Sequence, residues 1–295
     1  MSQQAPVLTA AGHPRFEGGR RRGEVALVQD AGSGPLVSVV TVVFNGASCL
    51  RRAIDSVLNQ SYRPIEYIVV DGGSTDGTLD ILRALDARID YWISEPDAGI
   101  YDAMNKGIRY ATGEIIGILN SDDWYEPDAV KWSVEALQTG DTGYSYGSAY
   151  MVDAAGARVG VVRPVPLGQF ARRVMSETPL PHPTMFVRRV AYDRCGRFDG
   201  SLRLAGDFEL IARFQRQGVI GVEVPRMLVN FQLGGASNNP LILREMRDVA
   251  LRCGEPQLRV WGNYLAARAT MAMKRMLPSR AAGLLRGFKD SARRL

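Results

Sequence analysis

The stretch Gly113–Val130, "GEIIGILNSDDWYEPDAV", decides how the chain is read. Ile115 to Leu119 is an unbroken apolar run, short enough for a strand and flanked by polar residues. A strand with no polar face is covered on both sides, as in a parallel sheet. It stops abruptly at Asn120-Ser121-Asp122-Asp123. Two adjacent carboxylates repel one another and resist burial, so this strand end calls for a positive partner.

Outward from that stretch the same grammar repeats. "LVSVVTVVF" (Leu36 to Phe44) is a β-branched run broken by Asn45-Gly46. Leu50, Ile54, Val57 and Leu58 then form a helical stripe. "IEYIVVDGGSTDGT" is a second buried strand running into a glycine-rich loop that opens a helix, "LDILRALD". "IDYWISE" is a third, shorter strand, and "GIYDAMNKGIRYA" a third helix. Strand and helix thus alternate four times within about ninety residues. The economical fold is α/β, a mostly parallel sheet of right-handed βαβ units. Ligands bind such sheets at the carboxyl ends of the strands. Asn45, Asp71 and the Asp122-Asp123 pair all stand at such ends and should converge.

Beyond Asp123 the pattern changes. "AVKWSVEALQ" is helical, and "YSYGSAYMVD" with "RVGVVRP" reads as a hairpin around Ala154-Ala155-Gly156. "TMFVRRVAYDRCGRFD" carries a strand and a helix, "DFELIARFQRQG" a helix, and "GVEVPRMLVNFQ" a last strand. Residues 1–35 lack periodicity and are expected to be a disordered extension. Residues 36–236 form the α/β domain, and 237–295 a helical, basic extension.

Charge and composition exclude several classes. The net charge is +5, but Gln257–Leu295 alone carries +8, which leaves residues 36–256 mildly acidic. That distribution does not suit a nucleic-acid binder. Cys49, Cys195 and Cys253 share no metal-binding spacing and are expected to be reduced thiols of a cytosolic protein. With only His13 and His182 as histidines, a zinc site is not expected. No apolar run reaches the ~20 residues of a membrane span, and the first thirty residues show no signal-peptide core. Among the tail's cations, Leu258, Trp261, Leu265, Met276, Leu284, Leu285 and Phe288 supply apolar faces. Such a segment suits either an anionic membrane surface or packing as a helix.

An acid pair at a strand end can hold Mg²⁺ or Mn²⁺ through oxygen ligands, with substrate phosphates completing the shell. Solvated turn acids are the plainer reading. The loop "DGGSTDG" supplies glycines for close approach and acids suited to ribose hydroxyls and base N–H groups. It is neither a Walker A loop nor a GxGxxG fingerprint.

"VSVVTVVFNGASCLRRAIDSVLNQSY", "IEYIVVDGGSTDGT", "DAGIYDAMNKGI" and "GEIIGILNSDDW" together resemble the family 2 glycosyltransferases over roughly Leu36 to Gln232. The resemblance implies the GT-A fold and inverting transfer from a nucleotide-diphosphate sugar, a UDP-sugar, to a glycan or lipid-linked glycan. It implies that Asp122 binds the ribose, and that Asp123, with Asp122, holds the metal. Asp71 would lie near the nucleobase, and Thr41 and Asn45 would also contact the donor. Lys106 in "AMNKG" would meet the diphosphate or, as a helix-surface lysine, simply water. Many relatives carry two acids where this chain has Asp71-Gly72, and an Asp where it has Asn120. The general base carries over to Asp207 in "LRLAGDFELIARF", where a helix N-cap is the plainer reading. Glu209, on another face of that helix, is the competing candidate. His182 in "PLPHPTMFV" would lie near the acceptor, and Trp124 would stack on a sugar or simply pack. A processive synthase is disfavoured, since "QLRVW" has the wrong spacing for QxxRW. The rival readings are a sugar-nucleotide nucleotidyltransferase, for which "VVFNGASCL" lacks a basic loop residue, and a non-catalytic sugar-binding or membrane adaptor.

Overall fold

The computed structural model describes residues 7–9, 12–22, 34–165, 180–234 and 239–276. In chain order the strands are β1 (Val7–Leu8), β2 (Pro14–Gly18), β3 (Val37–Val43), β4 (Ile65–Asp71), β5 (Tyr91–Ser94), β6 (Ile115–Asn120), β7 (Trp124–Tyr125), β8 (Tyr144–Val152), β9 (Arg158–Val162), β10 (Phe186–Arg188) and β11 (Gly221–Gln232). The helices are α1 (Leu50–Leu58), α2 (Thr78–Ala84), α3 (Ile100–Tyr110), α4 (Ala129–Leu137), α5 (Arg189–Cys195), α6 (Gly206–Arg216), α7 (Leu241–Arg252) and α8 (Gln257–Met276).

One sheet runs in the order β1-β2-β5-β4-β3-β6-β10-β8-β11-β7, with β9 paired to β8. Its centre, β5-β4-β3-β6, is parallel throughout. The β-branched run of β3 explains this place: all seven of its residues are buried. Val37, Val39 and Val43 join a core with α1, α2 and α4, while Val40 and Val42 join one with α3, α5 and α6. The period of two thus distributes one apolar run between two helical layers. Parallel pairing sends the carboxyl ends of β3, β4, β5 and β6 to the same edge.

One expectation for the flanks is corrected. Within the 1–35 segment, β2 adds antiparallel to β5, and the next turn seats Arg20 and Arg21 on the sheet. Arg21 donates to the buried Glu66 at 2.9 Å and Arg20 to the buried Asp90 at 2.6 Å. Charge pairing, which hydrophobic periodicity does not register, holds this arm in place. The C-terminal region is helical, as expected, and its first helix α7 packs on the domain: Leu243, Met246, Val249 and Ala250 belong to the core over α3 and α6. The expected hairpin is present as β8–β9. Residues 277–295, with the tail residues Leu284, Leu285 and Phe288, lie outside the described residues.

Candidate active site

Three loops at the carboxyl edge are laced together. Asn45 follows β3 in a left-handed conformation (φ 50°), which Asn tolerates. Its Oδ1 accepts from Thr75 N–H, and its own N–H donates to Ser74 Oγ at 2.7 Å. Asp76 accepts from Ala47 N–H at 2.9 Å and from Thr78. The glycine-rich loop after β4 is therefore fastened to the loop after β3 by its own polar groups.

Asp71 ends β4 and is completely buried. Its carboxylate accepts from Ser94 Oγ at 2.6 Å and from the N–H and hydroxyl of Ser74. The expected base-contacting acid is thus enclosed and fully partnered. The open acid beside it is Asp97, from the loop after β5. A Cβ on Gly72 would fall 2.5 Å from Asp97 Oδ2 and 3.3 Å from the Phe44 ring. Asp97 stands where the second acid of a doublet would project, in the space that Gly72 leaves. Burial raises its carboxyl above the ordinary range. Phe44, 65% exposed, presents its ring next to this carboxylate. Sequence reading passed over both residues. The signal was available: Phe44 directly follows β3, and Asp97 comes three residues after β5, both on the ligand-binding edge.

The acid pair after β6 divides in two. Asp123 is 1% exposed. It accepts from Gln232 N–H at 2.9 Å and from Asn120 Nδ2 at 3.1 Å. Asp123, expected to hold the metal with Asp122, is enclosed here, each of its oxygens accepting one hydrogen bond. Asp122 carries the accessible carboxylate. Burial pushes both carboxyls up, that of Asp123 well up, with the charge of Asp122 as the second cause. Arg52 offers some relief: it reaches the Asp122 carbonyl at 3.4 Å and Gln232 Oε1 at 2.8 Å. Its guanidinium lies 3.6 Å from the centroid of the Trp124 ring, so Trp124 packs on a cation. The buried Asn120 Oδ1 has no hydrogen-bond donor among the described residues. An orphaned oxygen beside a charged, partly desolvated carboxylate fits a hard cation that keeps water or phosphate ligands. No group of three His, Cys, Asp or Glu side chains converges as a metal site among the described residues.

The other candidates scatter. Thr41 lies buried inside the sheet, its hydroxyl accepting from Tyr67 at 3.0 Å. Lys106 is buried against Glu95 at 2.9 Å and the Pro96 carbonyl at 3.0 Å. It braces the loop carrying Asp97. Glu209 is held by Arg213 at 2.6 and 3.0 Å, and is thereby spent. His182 is buried edge-on to Phe198, and burial pushes its pKa down to about 4, leaving it neutral.

Asp207 stands in the first turn of α6, not at the N-cap, which is Ala205. Its side chain is partly accessible, yet burial of the carboxyl pushes its pKa up to about 6. The Tyr101 side chain hydrogen-bonds its carboxylate. Tyr101 opens α3, directly after the Asp97 loop, so Asp207 comes to the same edge as the strand-end acids. Tyr101 stacks on Phe198 at 5.4 Å, and Phe198 in turn meets His182. His182 therefore supports the layer beneath Asp207. A cavity of about 680 Å³ opens instead near the amino ends of β3 and β4, lined by Arg20, Arg63, Glu66 and Asp90. Its Glu66 and Asp90 are already neutralised.

Residues 38–196 match the family model described as glycosyl transferase family 2. An uncharacterised glycosyltransferase of Mycobacterium tuberculosis is 37% identical over 183 residues, spanning 61% of this chain and 69% of that protein. A chondroitin synthase of Pasteurella multocida is 40% identical over 100 residues, 33% of this chain and 10% of that protein. Among solved structures, S. aureus TarS 1–349 with UDP-GlcNAc is similar with a TM-score of 0.56 and 17% identity, covering 79% of this chain and 72% of that one. The mannosyltransferase PcManGT from Pyrobaculum calidifontis, with GDP-Man and Mn²⁺, gives a TM-score of 0.55 and 20% identity, covering 91% and 83%. These two share the GT-A fold with this chain.

Proposed function

We propose, for a chain that belongs to glycosyl transferase family 2, an inverting and non-processive transfer of sugar. The donor is a nucleoside-diphosphate sugar, a UDP-sugar, and the acceptor a hydroxyl of a glycan or lipid-linked glycan. One observation carries the reading: carboxylates only partly relieved by Arg52 sit at the strand ends, with a separate, partly accessible Asp207 on the same edge. Phe44 offers a face for the base, and Asp97 an acceptor for its N–H. Asn120 and Asp122 fit Mg²⁺ or Mn²⁺ at the donor diphosphate. A bound cation would act there as a Lewis acid, offsetting charge on the leaving group.

Asp207 takes the acceptor proton as the hydroxyl oxygen attacks the anomeric carbon from the face opposite the diphosphate. Its raised pKa makes it a stronger base than an ordinary carboxylate, while it stays ionised at neutral pH. Asp207→Asn preserves shape and removes the base. Transfer should fall by about 10²–10⁴-fold, with donor affinity measured by calorimetry unchanged. Near-normal turnover would move the base elsewhere.

The described part of α8 favours attachment to an anionic membrane on the cytoplasmic side. Leu258 (92% exposed), Trp261 and Leu265 lie at positions i, i+3 and i+7, one helical face. The segment from Gln257 onward is strongly basic, net +8. No described helix is long and apolar enough to cross a membrane. Binding to phosphatidylglycerol vesicles should weaken with salt and with Leu258→Ser and Leu265→Ser together. Binding that ignores both changes would rule this attachment out.

A further inference from the structure

The helix that carries Asp207 begins without a cap of its own. Ala205 at its N-cap has no side chain able to accept. The chain leading into the helix, residues 203–205, is held instead by Glu245, forty residues on in α7. Its carboxylate accepts from three successive backbone N–H groups: Arg203 at 2.9 Å, Leu204 at 2.8 Å and Ala205 at 2.9 Å. These are charge-assisted bonds at the positive end of a helix, where a carboxylate is favoured. On the other side of this turn, the Tyr101 ring fills the place of a Gly206 side chain. A Cβ there would fall 2.7 Å from Tyr101 Cε2. The turn is held between a carboxylate and an aromatic ring, and Asp207 is the next residue along.

We propose that Glu245 is a positioning residue for the acceptor side of the reaction, setting the turn that aims the Asp207 carboxylate. The proposal rests on Asp207 being the base. Glu245 lies outside the 38–196 family match and inside the stretch that sequence reading assigned to an extension. Its length of side chain matters: three bonds to consecutive amides fix both rotation and height of the turn. A misplacement of about 1 Å can cost about 10²-fold in rate.

The test compares Glu245→Ala and Glu245→Gln in the full chain, alone and on an Asp207→Asn background. Glu245→Ala should lower kcat for transfer about 10–100-fold, with donor affinity unchanged. Glu245→Gln retains an acceptor oxygen and should recover a substantial part of the loss. On the Asp207→Asn background, Glu245→Ala should add little, because residues acting as one unit are not additive. Wild-type kcat in Glu245→Ala, or full additivity with Asp207→Asn, would overturn the proposal. If Glu245→Ala fails to fold, Glu245→Gln decides: wild-type kcat together with additivity overturns it. If Asp207→Asn alone keeps normal turnover, the base assignment fails, which is a separate outcome.

Discussion

The two ends of the central strands treat buried acids in opposite ways. At the amino ends, Glu66 accepts from Ser38 Oγ at 2.5 Å, Thr112 N–H at 2.7 Å and Arg21 at 2.9 Å. Asp90 there accepts from Tyr67 N–H at 2.7 Å and Arg20 at 2.6 Å. Each acid has a cation and a backbone donor. At the carboxyl ends, Asp122 and Asp123 share only the partial relief of Arg52, and Asn120 Oδ1 has no donor. Burial is common to both ends, so burial alone does not mark a site. Missing compensation does, because a desolvated charge is costly unless something arrives to neutralise it.

Substitution should expose this contrast. Asp122→Asn removes the open carboxylate at the uncompensated end. Transfer should fall by about 10²–10³-fold, and Mn²⁺ should no longer raise the melting temperature. The melting temperature without metal should hold or rise, since one of two like charges is gone. Full activity of the wild type in excess chelator would instead remove the metal from the account.

At the compensated end the outcome should invert. Arg21→Ala leaves Glu66 buried without its cation. Stability to urea should drop by about 2–3 kcal/mol, while the specific activity of the folded fraction stays near wild type. A loss of activity with unchanged stability would mean that the arm contributes to the site.

The smallest effects concern pH. Asp207 has a folded pKa of about 6, above its unfolded value. The native state therefore binds more protons, and the metal-free protein should lose stability as pH rises from about 4 to about 6. Raised Asp122 and Asp123 carboxyls act in the same direction. Activity runs the other way: below pH 6, kcat/KM should fall about tenfold per pH unit as Asp207 protonates. His182 is already neutral there, so His182→Gln should leave that limb in place. A limb that moves with His182 would put the titrating group in the aromatic layer.

Much of the fold was legible because its signals are local. An apolar β-branched run such as Val37–Val43 needs cover on both faces wherever it lies. The turn after it shows in Asn45-Gly46, and the helical stripe of Leu50, Ile54 and Val57 in its spacing. The same logic places Asn45, Asp71 and Asp122 at one edge of the sheet. The β2 arm was missed because its anchors are arginines, whose partners Glu66 and Asp90 lie 45 and 70 residues away.

The roles within the site were decided by tertiary structure. Adjacent acids look alike in sequence, yet Asp123 is closed by the Gln232 amide, 109 residues on, and Asp122 is left open. Asp71 is sealed by Ser94, and Asp97 takes the space that Gly72 leaves. Glu245 caps a turn forty residues before it. The sequence determined which strands are buried and where their polar ends emerge, since these follow from side-chain periodicity along the backbone. Which carboxylate stays open depends on what packs against it, and those partners come from distant parts of the chain.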